Sequence, residues 1–112
     1  MHEYSIVQSL VDSVMAAVGT RQAAVHEVHI AIGEVAGVDC SLLTTAFEVF
    51  RAGTLCEHAA LTIDRIPARW ECPRCHVPIE RGAFLRCIDC NEPAQLAGGD
   101  EILLQRIELE VA

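Results

Sequence analysis

The sequence predicts an α+β fold: a small domain of two helices on a three-stranded sheet, with a cysteine-rich module inserted ahead of the last strand. Three observations predict it. Apolar residues recur at a helical period over residues 4–18 and again after Asp39. They alternate at a strand period in three further segments. Between the second and third of those segments, four of the six cysteines crowd into one short stretch.

The first helix carries Tyr4, Val7, Val11, Val14 and Val18 on one stripe, widened by Ile6, Leu10 and Met15. Gln8, Ser9, Asp12 and Ser13 fall on the opposite side, and Gly19 is its stop. "VHEVHIAIGEVAG" then alternates, with Val28, Ile30 and Ile32 on one face and Glu27, His29 and Ala31 on the other. Gly33 and Gly37 mark the end of this strand and a turn. Asp39 is placed to N-cap the second helix, "CSLLTTAFEVFRAG", whose stripe is Leu43, Phe47 and Phe50 and which Gly53 closes. "ALTIDRIP" is a second strand stopped by Pro67. After the loop "AGGD", "EILLQRIELEVA" is a third strand, with Leu103, Ile107, Leu109 and Val111 on one face and Arg106, Glu108 and Glu110 on the other. A strand so isolated in sequence gains stability by returning to the first sheet. Residues 1–68 plus 100–112 then form one α/β domain, and 69–99 the insertion.

The bulk composition excludes several functions. The chain has 112 residues, a formal charge of −8 and no lysine, all eight basic residues being arginines. A P-loop lysine and a Schiff-base lysine are therefore absent. An acidic chain fits a phosphate backbone poorly, so no nucleic-acid partner is expected. No basic segment precedes an apolar stretch at the start, and no apolar run approaches a membrane span. A soluble, cytoplasmic protein is expected, monomeric or weakly dimeric. Neither G-x-S-x-G nor G-x-G-x-x-G occurs, and nothing else suggests an enzyme.

The module "CPRCHVPIERGAFLRCIDC" pairs Cys72 with Cys75 and Cys87 with Cys90 as C-x2-C, eleven residues, C-x2-C. Two such knuckles bring four thiolates around one ion, as in a zinc ribbon. Zinc(II) and iron both accept this donor set, so a rubredoxin-like electron carrier is an alternative, as is an adaptor that only docks proteins. Four sulfurs leave no position for water, which makes the ion structural. "CPRCH" also fits a haem attachment pattern, but that would leave Cys87 and Cys90 unused, and His76 is expected to face solvent. His26 and His29 sit three apart in a strand and so face opposite sides; they read as ordinary surface histidines. Cys40 and Cys56 read as small buried apolar groups.

The chain starts "MHEYSIV". The Met1 amine and the His2 amide nitrogen can close one chelate ring on a metal, and the same amide with His2 Nδ1 a second. Glu3 can supply a further donor. This nitrogen-rich set suits nickel(II) or copper(II) better than zinc.

"MHEYSIV", "IGEVAGVD" followed by "AFEVF", the paired "CPRC" and "CIDC", and "GGDEILLQRIELE", in this order, resemble the HypA/HybF family of hydrogenase nickel-insertion accessory proteins. The resemblance spans essentially the whole chain. It implies a nickel metallochaperone with a nickel-binding α/β domain and an inserted zinc module. It implies His2 as the essential nickel ligand, Glu3 beside it, and Asp39 as an oxygen donor when a partner is bound. It also implies a HypB-type GTPase and the large subunit of [NiFe]-hydrogenase as partners, with some members also serving urease.

Overall fold

The computed structural model describes residues 3–21, 23–80 and 84–111, Val111 for its backbone only. In chain order the elements are α1 (Glu3–Val18), β1 (Ala23–Gly33), α2 (Cys40–Phe50), β2 (Ala60–Ile66), β3 (Arg69–Glu71), β4 (Pro78–Ile79), β5 (Gln95–Gly98) and β6 (Ile102–Val111). One sheet has the order β2-β1-β6 and the other β4-β3-β5. The last strand does return to the first sheet, antiparallel to β1, while β2 runs parallel to β1 after the crossover through α2.

Both helices cover one face of the first sheet. Val7, Leu10, Val11, Val14 and Val18 of α1 and Leu43, Ala46 and Phe47 of α2 pack with Val28, Ile30 and Ile32 in a single core. Cys56 lies fully inside it and Cys40 at its edge, as small apolar side chains. Tyr4 and Met15 depart from the expected stripe and are about half exposed. At ~100° per residue they lie roughly 60° and 80° around the axis from Val7, past the margin of the covered arc.

Asp39 caps α2 as its position predicts: Oδ1 accepts from Ser41 N at 3.0 Å and Leu42 N at 3.1 Å. Asp39→Ala is expected to lower stability by about 1 kcal/mol, read as a shift of the denaturant midpoint with unchanged slope.

The register of β1 with β6 is shifted twice, at Val25/Glu27 and at His29/Ile30. In the first shift His26 has no partner, which re-phases the strand so that Val25 joins Val28 in the core. In the second, the unpartnered residue is Gln105 of β6. This corrects the face assigned to Leu103. It turns outward and is half exposed, while Ile102 and Leu104 pack on the core with Ile107 and Leu109. An inserted residue exchanges the two faces of a strand, and simple alternation misses it.

The two sheets meet at a tight crossing. Gly33 N donates to Glu101 O and Val35 N to Gly99 O, each at 2.8 Å, and Ala68 N donates to the Glu34 carboxylate at 2.8 Å. A Cβ on Gly33 would sit 2.1 Å from the Gly99 carbonyl carbon, so only hydrogen fits. Gly99 itself has φ +95°, which L side chains rarely adopt. Gly33→Ala must push backbone against backbone, and a loss of about 3 kcal/mol is expected, visible as a lowered Tm.

Candidate metal centre

Each cysteine knuckle is built the same way. Cys72 N donates to Val77 O at 3.0 Å and His76 N back to Cys72 O at 2.9 Å. In the second knuckle Cys87 N donates to Glu92 O and Asn91 N to Cys87 O, both at 2.9 Å. The residue after each second cysteine, His76 or Asn91, turns the chain with φ of 59° or 60°. Asparagine and histidine tolerate that left-handed conformation better than most residues, which explains their presence there. His76 is exposed, as expected. β3 and β4 carry the first knuckle, and an Arg86–Pro93 bridge ties the base of the second.

The folded knuckles bring Cys72, Cys75, Cys87 and Cys90 together, their sulfurs all within 4.8 Å of one another. Cys72 Sγ lies 3.5 Å and Cys75 Sγ 3.7 Å from Cys90 Sγ. Cys72 and Cys87 are buried, Cys90 is half-buried and Cys75 is exposed. The Cys72 thiol is drawn down to about 7, chiefly because the Cys75 backbone N–H points at its sulfur at 3.3 Å, against the cost of burial. The Cys75 thiol is pushed up to about 12, first by the Cys90 sulfur and then by Cys72. One thiolate therefore forms readily and suppresses the next. Four can coexist only around a cation, so the donor set fits a tetrahedral metal ion.

Of the residues predicted for nickel, Met1 and His2 lie outside the described residues. Glu3 opens α1 and lines a cavity of about 260 Å3 with Tyr4, Leu42, Thr45 and Ala46. Leu42 donates its N–H to Asp39. The packing of α1 on α2 thus sets Glu3 beside the turn that Asp39 caps, a neighbourhood that residues 36 apart in sequence gain only in the fold. Asp39 is exposed, and both capping bonds fall on Oδ1.

One cluster escaped the sequence reading. The bulge at His26 breaks the alternation expected to set His26 and His29 on opposite sides, and His29 meets carboxylates: Nε2 is 2.9 Å from Glu108 Oε2 and 3.4 Å from Glu27 Oε1. Arg106 Nη2 is 3.1 Å from the same nitrogen. The Glu108 carboxyl is held below the usual carboxylate range, foremost by its hydrogen bond with His29. The E-x-H spacing in β1 was visible; its pairing with Glu108, 79 residues beyond His29, was not.

A helix-covered mixed sheet carrying a separate four-thiol centre able to hold a metal ion defines a small α+β protein with a metal-site module, and no helix among the described residues is long and apolar enough to cross a membrane. Comparison with known proteins gives the family. The profile described as "Hydrogenase/urease nickel incorporation, metallochaperone, hypA" matches residues 1–109. The hydrogenase maturation factor HypA of Wolinella succinogenes is 37% identical over 98% of this chain and 96% of its own. The solution structure of the nickel metallochaperone HypA from Helicobacter pylori superposes with TM-score 0.74 at 32% identity, covering 100% of both chains. A second solution structure of a HypA protein gives TM-score 0.81 at 31% identity, over 100% of this chain and 98% of that one. The chain belongs to the HypA family, and its function is that of a metallochaperone for nickel incorporation in hydrogenase maturation.

Proposed function

We propose that this metallochaperone carries Ni(II) at its N-terminus and Zn(II) among its four cysteines, and delivers the nickel without catalysing a reaction. The Met1 amine, the His2 amide and imidazole, and Glu3 would supply the nickel donors. Asp39 would add an oxygen, since both capping bonds fall on Oδ1. The observation that supports the reading is that Glu3 shares a cavity with Leu42, whose N–H Asp39 caps at the start of α2.

Such a site is open and rich in nitrogen, so it suits nickel and releases it more easily than a closed cage. The four sulfurs make the opposite kind of site: closed, soft and structural, which favours zinc. The division of labour corresponds to a nickel-binding domain of residues 1–68 plus 100–112 and a zinc module of 69–99. A HypB-type GTPase and the large subunit of [NiFe]-hydrogenase are the proposed partners, with urease a second destination, and the cytoplasm is the proposed location. Metal analysis of untagged, nickel-saturated protein tests the assignment. One tightly held zinc per chain is expected, together with a tightest exchangeable nickel equivalent that His2→Ala removes; nickel displacing zinc from the cysteines would overturn it.

A further inference from the structure

We propose that the outer face of the first sheet carries a second, exchangeable site for a first-row divalent cation, formed by Glu27, His29 and Glu108. It lies on the side of the sheet away from both helices and uses none of the residues assigned to nickel or zinc above. The inference goes beyond the N-terminal assignment and stands whether or not His2 holds nickel.

The pleat of β1 sends Glu27 and His29 to the same face, and the register sets Glu108 directly across from Glu27. Two carboxylates directly opposite on neighbouring strands repel, unless a cation lies between them. Three groups also crowd one atom. His29 Nε2 has Glu108 Oε2 at 2.9 Å, Glu27 Oε1 at 3.4 Å and Arg106 Nη2 at 3.1 Å. An imidazole nitrogen offers either one hydrogen or one lone pair. With a hydrogen it serves one carboxylate and opposes the guanidinium. With a lone pair it serves Arg106 and opposes both carboxylates. No protonation state satisfies all three contacts.

A divalent ion does satisfy the nitrogen and both oxygens. Donors bonded to one metal at about 2.1 Å sit roughly 3.0 Å apart in an octahedron and 3.4 Å apart in a tetrahedron. The separations from Nε2 are 2.9 and 3.4 Å, and all three donor atoms lie within 4.8 Å of one another. Two carboxylates and a neutral imidazole balance a double positive charge. The Thr62 hydroxyl of β2 donates to Glu27 Oε1 and orients it, the support that ligating carboxylates commonly have. Arg106 is exposed and can swing outward, so it acts as a placeholder that the ion displaces. The mixed nitrogen and oxygen set selects ions such as nickel(II) or cobalt(II) over thiophilic ones.

The test titrates NiCl2 into zinc-loaded, full-length His2→Ala protein, following bound equivalents by dialysis and paramagnetic broadening by NMR. One added nickel equivalent is expected, with broadening centred on His29, Thr62 and Glu108. His29→Ala, or His29→Gln if alanine disturbs the sheet, should weaken this binding by at least about tenfold, while His26→Ala leaves it unchanged. Arg106→Ala should tighten it about tenfold by removing a competing charge, an effect that a purely structural ion-pair network would not produce. Unchanged affinity in the His29 variants, no added equivalent, or no tightening in Arg106→Ala would overturn the proposal. Nickel affinity of the wild type equal to that of His2→Ala would instead count against the N-terminal assignment and leave this one standing.

Discussion

His2→Ala is expected to lower the nickel affinity of the tight site by at least about 100-fold, a cost of about 2.7 kcal/mol, with zinc content unchanged. The size follows from chelation. The imidazole closes a ring with the His2 amide nitrogen, and that amide closes another with the Met1 amine. Removing the imidazole leaves the deprotonated amide without the neighbour that anchors the ion. Extending the chain by a few residues ahead of Met1 should have a similar effect, because the amine becomes an amide and loses its lone pair. Competition against a chromophoric chelator measures both. Circular dichroism should stay constant, since the helix that follows is held by Val7, Leu10, Val11 and Val14 in the core and not by its first residues. Retention of wild-type affinity by either variant would sink the N-terminal assignment.

Cys87→Ala should release zinc and unfold the module while the first sheet remains. The module's own apolar cluster consists of Cys72, Ile79 and Cys87, with Trp70, Cys90 and Ala94 against it. Two of its three buried members belong to the four-thiol set proposed to hold zinc, so without an ion to tie them almost no core is left. Structural zinc contributes about 10–16 kcal/mol to folding in comparable small domains, far more than this cluster can replace. Trp70, the single tryptophan, packs on that cluster and reports the event. Its emission should shift to the red in Cys87→Ala and in chelator-treated wild type. Hydrogen exchange should show residues 69–99 unprotected and the amides of β1 still protected. Acidification should act in the same direction: protons compete for the thiolates, and with the ion removed the first thiolate to form, at Cys72, is itself lost as pH falls through about 7. A module that stays ordered without metal would refute this.

Much of the site was legible because it depends on local spacing. Each C-x2-C pair closes through hydrogen bonds between residues four or five apart, so the knuckles follow from sequence alone. The capping role of Asp39 is equally local. Other features needed the fold. Leu103 was assigned to the core because Gln105 looks like an ordinary strand residue, and only pairing with β1 makes it the residue without a partner. Tyr4 and Met15 satisfy the helical period but fall beyond the arc that the sheet covers.

By itself, the sequence determined the two helices, the three long strands, the four-thiol set and the family resemblance, since each rests on periodicity or short-range spacing that survives any packing. Only the tertiary structure decided which side chains from distant segments meet. It set Glu3 beside the start of α2, locked Gly33 against Gly99, and gathered Glu27, His29 and Glu108 on one face. The reason is that strand register and crossing geometry are fixed by burial of the whole core, so a single bulge can move a residue from one face to the other without leaving a mark in the local pattern.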